Sequence, residues 1–138
     1  MPNPGKKHKT ACPIAFALDT FGDRWTLLII RDLMLKGNET YGEFLDSGEG
    51  IATNILADRL KDLEATGILL KTRDPENHRR YIYSLTEKGC ELAPIMLEMI
   101  RWSAKYDPDT IVGKKMVKRI EKDREGFVAE IKARFTAR

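Results

Sequence analysis

The chain has 138 residues, 42% hydrophobic and 33% charged, with a formal net charge of +3, an ordinary composition for one soluble globular domain whose core needs neither disulfides nor metal. No apolar run approaches the roughly 18 residues of a membrane span, the basic start MPNPGKKHKT has no apolar export segment, and Cys12 and Cys90 make no disulfide framework, so a reducing cytoplasm is the expected location. Residues 1–111 carry 15 Lys/Arg against 17 Asp/Glu and residues 112–138 carry 9 against 4, so composition alone argues only weakly for a nucleic-acid partner.

In chain order, residues 1–11 form a flexible basic arm. Pro13 opens a short helix at a position where its missing N–H costs nothing. Ala15, Leu18 and Phe21 give that helix an apolar side, and Gly22 ends it. Asp23 is a suitable N-cap for a second helix carrying Trp25, Leu28, Ile29, Leu33 and Leu35. Apolar on most sides, this helix is expected at the buried centre, with Gly37 and Asn38 as its stop. Thr40 to Ser47 makes a short helix with Tyr41, Phe44 and Leu45 inward, followed by a turn bracketed by Gly48 and Gly50.

A further helix runs from about Ala52 to Thr66. Ile51, Leu56, Leu60 and Leu63 face the core, Gly67 is the stop, and Thr53, Asn54, Ala57, Asp58 and Lys61 lie outward. Strands Leu69 to Arg73 and Tyr81 to Leu85 pair around the loop DPENHRR, whose turn begins at Asp74-Pro75. Thr86 caps a long helix to about Tyr106, with a kink expected at Pro94 and a packing stripe of Leu92, Met96, Met99 or Ile100, and Ser103. After Asp107-Pro108, a last helix from Thr110 to Phe135 carries Met116, Ile120, Phe127, Ile131 and Phe135 on one side. The fold class is mainly α with a small β-hairpin. A helix of four turns beside a hairpin with a basic tip is the reading apparatus of a winged helix-turn-helix, with the helix in the DNA major groove and the hairpin along the backbone or in the minor groove.

The ordered pieces Cys12-Pro13, GDRWTLLIIRDLMLKG (Gly22 to Gly37), Tyr41-Gly42-Glu43-Phe44, LADRLKDLEATGIL (Leu56 to Leu69) and YSLTEKG (Tyr83 to Gly89) resemble the HxlR-type winged-helix transcription regulators. The resemblance covers residues 12–106, the winged helix-turn-helix domain, and leaves residues 107–138 as a C-terminal helical extension without counterpart. It implies a homodimer on double-stranded DNA, flanking helices that dimerise, and a response to oxidants, electrophiles or another small ligand through the cysteine matching Cys12. The chain departs from the family in beginning its recognition helix Ala52-Thr53-Asn54, where a serine cap is usual, and in a wing, DPENHRRYIY, that looks more like the MarR type.

Several side chains have two physical readings. Thr53 and Asn54 either meet base edges or cap the helix. Asp58 and Lys61 share the outward face, and Lys61 suits solvent or a distal phosphate. Arg59 either donates to phosphate or pairs with a carboxylate of its own domain. Arg79 and Arg80 suit a narrow minor groove, with a salt bridge to Asp74 as the alternative for one of them. Cys12 stands where the helix dipole, with Lys7 and Lys9, favours a thiolate, and Cys90 is a packing residue. Trp25 and Trp102 are expected in the core. With only His8 and His78 and no paired cysteines, a zinc site has nothing to build on, and no catalytic constellation or cofactor motif is present. The expected function is a sequence-specific, dimeric DNA-binding repressor; the alternative is a winged-helix protein-interaction module without an operator.

Overall fold

A computed structural model describes residues 10–136, so residues 1–9 of the expected basic arm, Lys7 and Lys9 among them, lie outside the described residues. The backbone divides into two compact units, Met1–Thr86 and Glu87–Arg138.

In the first unit, α1 (Pro13–Phe21) takes Cys12 as its cap residue and places Pro13 in its first turn. No α1 residue is buried, and Ile14, Phe16 and Leu18 are 67%, 52% and 59% exposed. The expected inward side therefore exists only in part: Ala15 and Phe21 are half-buried while Leu18 is in solvent. At the start of α2 (Arg24–Arg31), the Asp23 carboxylate accepts from the Thr26 N–H at 3.0 Å and its hydroxyl at 3.2 Å. The helix continues through a wider π-helical turn, Asp32–Lys36, in which the Gly37 N–H donates to the Asp32 carbonyl. Ile29, Ile30, Leu33 and Met34 are at most 3% exposed, so this segment is the centre of the unit, whereas Trp25, Leu28 and Leu35 are half-buried.

The helix α3 (Tyr41–Leu45) is shorter than expected and begins with a reciprocal capping box between Thr40 and Glu43. The turn to α4 (Thr53–Ala65) uses left-handed backbone at Gly48 (φ 96°) and Gly50 (φ 74°), conformations in which a Cβ is disfavoured. Leu56, Leu60 and Leu63 of α4 are buried, each contributing about 1.5–3 kcal/mol relative to exposure, and Ile51 is half-buried. Strands β1 (Leu69–Arg73) and β2 (Tyr81–Leu85) pair antiparallel in the register Leu69–Leu85, Lys71–Tyr83, Arg73–Tyr81. The Tyr83 N–H donates to the Glu39 carbonyl at 2.7 Å, and its ring meets Phe44 edge-on at 5.9 Å, fixing the hairpin to the segment before α3.

The second unit corrects three expectations. The helix after Thr86 is two helices, α5 (Glu87–Cys90) and α6 (Ala93–Tyr106), and Pro94 sits in the first turn of α6 instead of kinking a continuous helix. A first turn needs no N–H at that position, so proline starts a helix there more cheaply than it bends one. The Thr86 hydroxyl donates to the Gly67 and Ile68 carbonyls. The final helix is likewise two, α7 (Lys114–Lys122) and α8 (Arg124–Thr136). Asp123 divides them, its carboxylate accepting from the Gly126 N–H at 3.1 Å as an N-cap does. Ile120, Phe127 and Ile131 are buried as expected, with Met116 and Phe135 half-buried.

Candidate nucleic-acid interface

The start of α4 is defined by what does not cover it. Its cap residue, Ala52, has no side-chain oxygen, and the helix start receives no side-chain cap, which leaves first-turn N–H groups to outside acceptors. Neither Thr53 nor Asn54 caps; both side chains are exposed and make no hydrogen bond among the described residues. The Tyr41 hydroxyl donates to the Thr53 carbonyl at 2.9 Å, fixing the first turn of α4 to α3.

Arg59 resolves to the intramolecular alternative. Its Nε donates to Asp23 at 2.7 Å, one Nη to the other Asp23 oxygen at 3.2 Å, and the second Nη to Asp58 at 2.9 Å. With its side chain only 11% exposed, Arg59 is a bolt between α4 and the start of α2. Asp58 serves that bolt while staying half in solvent. The Arg59 hydrogen bond holds the Asp23 carboxyl at about 2, below its ordinary 3.8. Lys61 is exposed and makes no ion pair among the described residues.

A second bolt has almost no signature in the sequence. Arg31 donates to Asp32 at 2.7 and 3.0 Å and to Glu49 at 2.8 Å, while the Lys36 ammonium donates to the Ser47 carbonyl at 3.0 Å. The end of the central helix thereby grips the turn that launches α4, and Arg31 keeps the Glu49 carboxyl below the usual range. The only sequence signal is a glutamate set between Gly48 and Gly50.

In the wing the two arginines part. Arg80 pairs with the buried Asp74 at 2.6 and 3.0 Å, and Asp74 also accepts from the Glu76 N–H. Arg80 thus shapes the loop, and its hydrogen bond keeps the Asp74 carboxyl below its ordinary value. Arg79 is exposed with no ion pair among the described residues. Lys71 and Arg73 lie over the Tyr81 ring at 4.2 and 4.9 Å, and His78 is exposed, its carbonyl accepting from Arg73. Arg79→Ala is expected to leave the melting temperature unchanged and weaken duplex binding, whereas Arg80→Ala lowers the melting temperature; paired calorimetry and anisotropy titrations separate the two.

The two thiols differ in access. Cys12 is exposed at the start of α1, and Cys90 is buried at 2%, where desolvation pushes its thiol up. Trp102, expected in the core, is 62% exposed and lies against Tyr106. The inward face of α6 is Ala93, Met96 and Leu97, so Met99 is outside. Its outer side, with Pro94, Ile95, Met99 and Trp102, lines a groove of 590 Å³ in the second unit that also includes Glu98 and Arg124.

Residues 20–110 match the HxlR-like helix-turn-helix family. The chain is similar to sll1512 of Synechocystis sp., an uncharacterized HTH-type transcriptional regulator, with 38% identity over 88 residues, covering 64% of each chain. That match spans less than two thirds of the relative's length. Among solved structures, the redox regulator HypR in its oxidized form superposes with a TM-score of 0.61 at 33% identity, covering 68% of this chain and 96% of HypR. The reduced form of the transcriptional regulator YodB from Bacillus subtilis gives a TM-score of 0.57 at 32% identity, covering 73% and 99% of the two chains. YodB has also been solved diamide-treated and quinone-bound.

Proposed function

The chain belongs to the HxlR-like helix-turn-helix family of transcription regulators, and from that premise we propose that it is a cytoplasmic homodimer that represses by binding a near-palindromic operator and lets go when Cys12 is modified. The single observation that carries DNA binding is the exposed, uncapped start of α4, held in place by Asp23–Arg59 and by Tyr41. Asn54 offers an amide able to pair bidentately with adenine, Thr53 offers a hydroxyl, and the free first-turn N–H groups suit phosphate. Arg79 reaches from the wing for the negative potential of a narrow minor groove. A protein-docking module would present an apolar α4 face, whereas Thr53, Asn54, Asp58 and Lys61 are polar and exposed.

Pairing is supported by apolar surface in solvent on both flanking helices: Ile14, Phe16 and Leu18 on α1, and Ile95, Met99, Trp102 and Tyr106 on α6. Two recognition helices on one operator must stand about 34–36 Å apart, so a small change in pairing releases DNA. Cys12 begins one of the two helices assigned to pairing and is open to solvent, and the oxidized HypR and quinone-bound YodB structures supply the chemical analogy. Residues 107–138 extend the winged-helix domain as a helical addition.

Asn54→Ala is expected to relax base preference at one or two operator positions at a cost of about 1–3 kcal/mol; equal losses on operator and random duplex would remove it from base reading. Diamide is expected to lower the operator affinity of the parent protein and leave Cys12→Ser bound. A Cys12→Ser protein that still loses DNA would overturn the role of that thiol.

A further inference from the structure

We propose that α7 is a second DNA-phosphate contact, a row of lysines supplying much of the sequence-independent affinity. The inference rests on the reading of the chain as a duplex binder and adds a site to it.

Charge distribution is the first observation. Residues 1–86 carry 12 Lys/Arg and 12 Asp/Glu, so the winged-helix unit is formally neutral, whereas residues 87–138 carry 12 against 9. Within α7, Lys114, Lys115, Lys118, Arg119 and Lys122 face a single acid, Glu121. Affinity for duplex DNA scales with the number of phosphates that cations neutralise, and several cations of the first unit are already committed. Arg59 is held by Asp23, Arg80 by Asp74 and Arg31 by Asp32 and Glu49.

Geometry is the second. Lys114, Lys118 and Lys122 recur every four residues with Lys115 beside them, on the side of the helix opposite Met116 and the fully buried Ile120. All four lysines are exposed, and among the described residues none makes an ion pair. The arginines nearby are spent on the fold: Arg119 pairs with Glu130 and lies over the Phe127 ring at 4.5 Å, and Arg124 pairs with Glu98.

The row is also uncomfortable in isolation. Like charges four residues apart repel along a helix, and Lys114 and Lys115 occupy the first turn, where the helix dipole disfavours cations. An anionic surface relieves both penalties at once. A regular line of phosphates is the polyanion that the proposed function already brings to this protein.

The test uses the full-length chain with Lys114, Lys115, Lys118 and Lys122 all changed to Gln, titrated by fluorescence anisotropy against a selected operator and a random duplex across salt concentrations. Affinity is expected to fall about tenfold or more for both duplexes alike. The salt slope should become shallower by about 0.9 for each phosphate that is no longer neutralised, with the operator preference retained. Four Lys→Arg changes, which keep the charge, are expected to restore affinity and slope. Unchanged affinity and slope in the Gln protein overturn the proposal, as does an Arg set that fails to restore them or a loss confined to the operator. If the parent but not the Gln protein binds phosphatidylserine–phosphatidylcholine vesicles while duplex binding is unaltered, the row serves a membrane surface and the proposal fails. A parent protein that binds no duplex overturns the DNA reading itself, which distinguishes that failure from this one.

Discussion

Asp23→Ala is expected to destabilise the protein by about 3 kcal/mol, a large effect for one side chain that is not in the apolar core. The carboxylate caps α2 through Thr26 and receives two N–H bonds from Arg59 of α4. Losing the cap costs about 1 kcal/mol. The remainder comes from stranding Arg59, whose side chain is 11% exposed, with Asp58 alone. Asp23→Asn, which keeps a capping oxygen, is expected to lose less. Urea unfolding at neutral pH measures both, with an unchanged m-value showing that stability moved and not compactness. The pH dependence follows from the Asp23 carboxyl lying at about 2 in the fold against an ordinary 3.8. A depressed carboxyl contributes stability that is complete above about pH 4 and is lost as pH falls through about 2. The stability gap between parent and Asp23→Ala should therefore narrow as the pH is lowered from about 5 to about 2, and a gap constant over that window would deny the ion pair its role.

Trp102→Glu is expected to convert the proposed dimer to monomer at micromolar concentration and to lower operator affinity by about a hundredfold or more. Trp102 is 62% exposed in the single chain and shares one side of α6 with Ile95, Met99 and Tyr106, at spacings of 4, 3 and 4 residues. A tryptophan at the centre of such a seam is the residue type that carries about 2 kcal/mol or more of binding, and a carboxylate there adds a desolvation cost. Sedimentation velocity reads the oligomer directly. An unaltered sedimentation coefficient with unaltered folding would mean that this side of α6 stays in solvent.

What the sequence made visible was local. Leu56, Leu60 and Leu63 followed by Gly67 define α4, and the alternation Tyr81, Tyr83, Leu85 with Asp74-Pro75 defines the hairpin, because each pattern is set by neighbours within one turn or one strand pair. Pro94 was ambiguous, since a proline suits a kinked interior or a first turn, and apolar spacing continues across both. The spacing from Met116 to Phe135 likewise fits one long helix or two packed on each other. The deciding feature, Asp123 accepting from Gly126, is a cap signal that a continuing apolar pattern hides. At the site, the fate of Arg59 depends on Asp23, 36 residues earlier, and only the fold brings them together. Arg79 and Arg80 are adjacent and chemically identical, so their separation into an exposed cation and a loop strut needed the position of Asp74. Trp102 has the same signature in a core as in a seam between chains, and sequence favoured the wrong one for the single chain.

The most direct test is selection of bound sequences from random duplex DNA, carried out with reduced protein and again after diamide treatment. The reduced protein is expected to enrich a near-palindromic motif with half-sites about one helical turn apart, and the enrichment is expected to disappear after treatment. A reduced protein that enriches no motif above the input pool would contradict operator binding.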